Sequence, residues 1–209
     1  MNNVWEQPMN REAALKHNRL FEEALSIVKD EIPLHGQSDK PVPGWILAVK
    51  LRRAIAIFER ALRINPENWP AMWYIGKVHQ RLRNPADALA WFEQAHQINP
   101  SQPDIVREAS LCAMEIGYHD MAIVFAHRAT QLEPTNPGLH ANLALAYLLA
   151  GRVSDAETAV DRALTADPSD TISQTIRTMV QHFATSRRVP PTTTLALQNY
   201  WRQNRKVGC

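Results

Sequence analysis

Residues 69–102 read WPAMWYIGKVHQRLRNPADALAWFEQAHQINPSQ, and the stretches 103–136 and 137–170 repeat that pattern. Pro66, Pro100, Pro134 and Pro168 stand 34 residues apart. So do Ala54, Ala88, Ala122 and Ala156, and likewise Ala61, Ala95, Ala129 and Ala163. Between these alanines sit Phe58, Phe92, Ala126 and Val160. Four registers locked to one period define an internal repeat.

Each unit reads as two helices. The spacing of Ala54, Phe58 and Ala61 by four and three puts them on one face of the second helix. Small alanines let a neighbouring helix come close, and the larger residue between them fills the gap. The proline then closes the unit, because it cannot continue a helix and pushes the preceding residue out of helical conformation. Asn84-Pro85 and Asn136-Pro137 place an N-cap residue before a proline at the first helical position.

On these residues the sequence resembles the tetratricopeptide repeat (TPR) family, with Trp, Leu, Gly and Tyr on the first helix and Ala, Phe, Ala and Pro on the second. Residues 69–102 match through Met72, Ile75, Gly76, His79, Ala88, Phe92, Ala95 and Pro100. Residues 103–136 match through Val106, Ala109, Ser110, Ala113, Ala122, Ala126, Ala129 and Pro134. Residues 137–170 match through His140, Leu143, Ala144, Tyr147, Ala156, Val160, Ala163 and Pro168. Gly117 and Gly151 fall at the turn between helices. The resemblance implies an all-α, right-handed superhelical solenoid of helix-turn-helix repeats with a C-terminal capping helix.

Outside these three repeats the pattern is looser. Residues 10–68 read as an irregular first repeat after an N-terminal extension, 1–9. A helix from about Asn10 to Glu31 carries Leu20, Ala24, Ile27 and Val28 on one face, and a second runs from Trp45. Between them PLHGQSDKPVPG, residues 33–44, is too rich in proline and glycine for helix and reads as an insertion loop. Residues 171–187, with Ile172, Ile176, Met179, Val180 and Phe183 at helical spacing, read as the capping helix. Residues 188–209 form a basic, aromatic tail in which Leu197, Tyr200 and Trp201 share one face of a short helix. That helix has two readings: it docks on its own chain, or on another protein.

Composition narrows the function. The 209 residues are 45% hydrophobic and 21% charged, ordinary for a folded protein, with only 7 glycines against 14 prolines. A formal charge of +2 predicts no general affinity for nucleic acid or acidic membranes. Five basic and no acidic residues after 186 leave the remaining chain near −3. Tyr200 and Trp201 beside Arg202 and Arg205 suggest stacking on single-stranded nucleic acid as a minor reading. Cys112 and Cys209 make no disulfide framework, and no apolar run approaches the ~20 residues of a membrane span. A cytoplasmic protein is expected.

Catalytic and metal motifs are absent: no HExxH, CxxC, phosphate-binding Gly-rich loop or GxSxG occurs, and no two histidines are four apart. No enzyme activity, cofactor or metal is therefore expected. His79 reads as a core residue. The family resemblance instead implies a concave groove lined by the first helices. It offers Trp73, Lys77, Gln80 and Arg81, then Arg107 and Met114, then Asn142, Leu145 and Leu149, with Tyr200 and Trp201 from the tail. Lys77, Arg81 and Arg107 would make one end basic, and Leu145 and Leu149 the other apolar. Lys77 and Asn142 match only part of the Lys/Asn carboxylate clamp of some members, because Trp73, Glu108 and Gly138 stand where the clamp needs other residues.

The function expected is a non-enzymatic scaffold, adaptor or assembly factor for a protein or peptide partner in a multi-subunit complex. A regulatory subunit of an enzyme is the alternative. Trp5, Trp45 and Trp69 leave room for self-association. An exposed groove predicts that Trp73→Ala and Arg107→Glu abolish partner capture without loss of thermal stability.

Overall fold

The computed structural model describes residues 10–32, 43–186 and 188–204. The N-terminal extension with Trp5, most of the loop expected at 33–44, and Arg205, Lys206 and Cys209 lie outside the described residues. All ten helices among the described residues fall in two compact units, Met1–Asn99 and Pro100–Cys209.

The first unit holds α1 (Arg11–Val28), α2 (Trp45–Leu62), α3 (Trp69–Arg81) and α4 (Pro85–Ile98), each packed on the next. Three aromatic rings join the first three helices. Phe58 of α2 stacks on Tyr74 of α3 at 5.7 Å, and Phe21 of α1 meets both edge-on at 5.6 and 6.0 Å. Asn68 adds a polar tie. Its Nδ2 donates to buried His17 Nε2 at 2.7 Å, while its Oδ1 caps α3 by accepting from the Ala71 amide.

The second unit holds α5 (Pro103–Ile116), α6 (His119–Leu132), α7 (Pro137–Leu149), α8 (Val153–Ala166), α9 (Thr171–Ser186) and α10 (Thr194–Asn204). α5 pairs with α6 and α7 with α8, and α9 packs on both α7 and α8. The first helices also touch one another, α5 with α7 and α7 with α9. Asp170 caps α9, accepting from the amide and hydroxyl of Ser173. That start turns Ser173 inward and leaves Ile172 exposed, so the buried face is Ser173, Ile176, Val180 and Phe183 rather than one including Ile172.

The repeat is visible in the packing. Every alanine of the two registers is buried, as are Phe58, Phe92, Ala126 and Val160 between them. Opposite Phe92 stands Gly76, where a Cβ would lie 2.6 Å from the Phe92 ring. At the equivalent position Ser110 donates its hydroxyl to the Ala122 carbonyl at 2.9 Å, binding α5 to α6. Asn99, Glu133 and Asp167, each before a repeat-ending proline, have all left the helical region, and Asp167 is extended.

The turns inside the repeats are equally regular. Asn84, Tyr118 and Arg152 donate their amides to the carbonyls of His79, Ala113 and Tyr147, the 6→1 bond of a Schellman ending. Such a turn requires a left-handed residue, supplied by Gly117 (φ 79°) and Gly151 (φ 75°). In the first repeat it is Arg83 (φ 62°), which carries a Cβ where glycine costs nothing. Asn136 caps α7 through its side chain, but Asn84 makes no such bond to α4. Arg83→Gly should release roughly 1–2 kcal/mol of left-handed strain, offset by about 0.5–1 kcal/mol of added freedom in the unfolded chain. A urea midpoint shifted upward, with Arg83→Ala near the native value, is the expected result.

Candidate protein-interaction surfaces

In the first unit the expected groove residues of α3 are held internally. Lys77 lies over the Trp73 ring at 5.8 Å and is buried. Arg81 is buried too: its Nε donates to the Glu31 carbonyl at 3.1 Å, and Nη2 lies 3.9 Å from the Glu31 carboxylate. Trp73 and Gln80 remain half-buried. Trp73 meets Tyr74 edge-on, and its Nε1–H is shielded from water with no acceptor among the described residues. An unmet donor of this kind costs about 1–3 kcal/mol.

His79, at the same end of α3, is a core-side residue with its Nδ1 3.5 Å from Asp87. Burial lowers its pKa below 6.5, against the opposing pull of Asp87 and Glu59. On acidification the unfolded chain therefore takes up this proton first. The stability tied to neutral His79 is complete above its ordinary pKa and declines as pH falls below it. His79→Gln should flatten the fall in urea stability between roughly pH 7 and 5, relative to the native chain.

In the second unit Arg107 is buried between two carboxylates, 2.7 Å from Asp104 and 2.9 Å from Glu108. Met114 and Leu149 are fully or almost fully buried, while Asn142 and Leu145 are half-buried. The expectation that Arg107→Glu leaves stability untouched is revised accordingly: the side chain sits inside an ion-pair cluster. Exposed apolar surface lies elsewhere, at Trp45, Ile46 and Val49 of α2, whereas Trp69 is half-buried.

The tail forms α10 and folds onto its own unit. His119 Nε2 donates to the Thr192 carbonyl at 2.8 Å, and Thr193 passes close to Gly117. α10 then packs on α5 and buries Leu197. Farther along, the Tyr200 hydroxyl bonds His182 Nε2 at 2.8 Å and accepts from Arg188 at 3.2 Å. Its ring leans on Phe183 at 5.2 Å, and Trp201 meets the His182 ring at 5.5 Å. An open surface depression of about 440 Å³ is lined by Trp201 and by Thr171, Gln174, Thr175 and Thr178 of α9. The Trp201 Nε1–H is shielded from water with no acceptor among the described residues. His119, His182 and Thr192 escape sequence reading because His119 and Thr192 meet across 73 residues, and no local spacing encodes that. Arg83 was within reach, being in register with Gly117 and Gly151.

Among the described residues no helix is long and apolar enough to cross a membrane, and no group of three metal-ligating side chains occurs. Tandem helix pairs with small-residue seams and glycine-type turns define a helical-repeat interaction module. The chain belongs to the tetratricopeptide repeat family, whose models match residues 50–103 and 117–179, together more than half of it. No curated protein matches the sequence. Among solved structures, a TPR protein from Parabacteroides merdae superposes with a TM-score of 0.67 at 14% identity, covering 82% of this chain and 61% of that one. MamA matches with a TM-score of 0.61 at 16% identity, over 76% of this chain and 91% of that one. YrrB, a TPR protein with an unusual peptide-binding site, matches with a TM-score of 0.57 at 18% identity, over 80% and 86%. These likenesses show the TPR fold, and the family match gives protein interaction as the general class of role.

Proposed function

We propose that this chain is a non-enzymatic adaptor or assembly factor that holds a peptide segment or subunit of a larger complex, in a cytoplasmic setting. The observation that carries the reading is α10, a helical segment seated on the first helices of the second unit through Leu197, Tyr200 and Trp201. A face that receives one amphipathic helix has the chemistry to receive another. The peptide-binding site of YrrB, a fold relative, is in keeping with this. Nucleic-acid stacking on Tyr200 and Trp201 is disfavoured, because both rings are already engaged by α9. Trp73, Gln80, Asn142 and Leu145 are the groove positions left partly accessible.

Photo-crosslinking tests the reading. A photoreactive residue at Gln80 or Asn142 should capture one stoichiometric protein from native extract. The same residue at Val124, exposed on the second helix α6, should not. Equal capture at all three positions, or none, would overturn the scaffold reading. A single stoichiometric enzyme among the products would make the chain its regulatory subunit.

A further inference from the structure

We propose that the face formed by α5, α7 and α9 is a docking site for an amphipathic helix with an aliphatic residue at i and aromatics at i+3 and i+4, and that α10 is its resident, displaceable occupant. The inference deepens the scaffold reading and rests on it.

Three observations carry it. First, location: α10 packs on α5 and its aromatic residues reach α9, while α7 touches both of those helices. The helix thus reaches α5 and α9, the two helices that flank α7. Second, the recognition pattern: Leu197, Tyr200 and Trp201 lie on one helical face, and each engages the unit through burial or ring contact. Third, the fit is incomplete. Leu197 is the one buried residue of α10, the Trp201 donor lacks an acceptor among the described residues, and beside it an open depression of about 440 Å³ is lined by Trp201 and by Thr171, Gln174, Thr175 and Thr178 of α9. A ligand that offers an acceptor beneath the indole position and fills that space would improve on the resident helix. The tie upstream is short and replaceable: the Thr192 carbonyl on His119, and Arg188 on Tyr200.

Tethering sets the competition. A short linker holds α10 near its site at an effective concentration of about millimolar, so a free peptide of equal intrinsic affinity is largely excluded from the native chain. Weakening α10 lifts that exclusion without touching the face.

The test uses the full chain and a fluorescent synthetic peptide of residues 188–204, read by anisotropy. Leu197→Asp in the chain should tighten probe binding at least ~10-fold, and Tyr200→Phe, which removes both hydroxyl bonds, by a smaller factor. Should Leu197→Asp aggregate, Tyr200→Phe decides alone. Thr178→Arg added to either opened chain should abolish the gain, and a scrambled peptide should not bind. Unchanged affinity in the opened chains, or equal binding of the scrambled peptide, would overturn the proposal. The scaffold reading is judged apart from this, by capture at Gln80, which lies in the first unit.

Discussion

Phe92→Ala is expected to destabilise the chain by about 3–5 kcal/mol, the largest loss of any single truncation in the first unit. Phe92 is fully buried, and the residue facing its ring is Gly76, which has no side chain to relax into the vacated space. Cavities that cannot collapse fall at the costly end of such substitutions. In a chain of 209 residues the melting temperature should drop by roughly 10 °C. The reciprocal change, Gly76→Ala, drives a methyl into the ring and should cost about 1–3 kcal/mol in packing, against a gain of about 1 kcal/mol in helix propensity. Combining the two removes the clash and part of the void. A double-mutant cycle by urea unfolding should then show a coupling of about 1–3 kcal/mol; strict additivity would refute the close approach.

Arg107→Leu is the second large effect, expected to cost about 3–5 kcal/mol because buried Glu108 loses its cationic neighbour. Replacing both residues, Arg107→Leu with Glu108→Leu, should recover most of the loss, since a buried pair exchanged for apolar residues is often near neutral. Arg53→Ala makes the contrast. Arg53 meets Glu23 at 3.7 Å on the exposed surface, so its loss should stay below about 1 kcal/mol and shrink further in salt. Urea titrations at low and high salt separate the two cases. If Arg107→Leu were as mild as Arg53→Ala, the buried cluster would not be contributing.

These two sites mark how far the sequence could be read. Proline, alanine and glycine registers announce the helix pairs, because each records a local need: a stop, a close approach, a left-handed turn. The short helix at Leu197, Tyr200 and Trp201 is legible for the same reason, as an i, i+3, i+4 face. Position on a helix face does not reveal what covers that face. Lys77, Arg81 and Arg107 stand where groove cations belong, yet Arg81 is taken by Glu31, 50 residues earlier, and Arg107 by its own helix neighbours. Asn84 has the sequence of a cap but not the bond. Long-range partners leave no periodic trace.

The pairing of Gly76 with Phe92 has a further consequence for how a tandem array avoids misassembly. The three repeats carry different volumes at equivalent positions: Gly76 and Phe92, Ser110 and Ala126, and Ala144 and Val160. If α5 met α4 in place of α6, Ser110 would collide with the Phe92 ring. If α3 met α6, Gly76 would face Ala126 across a gap. Near-identical repeats are prone to pairing out of order during folding. The hairpins differ in side-chain volume at this seam, and an exchange of partners would lose the fit of Gly76 to the Phe92 ring.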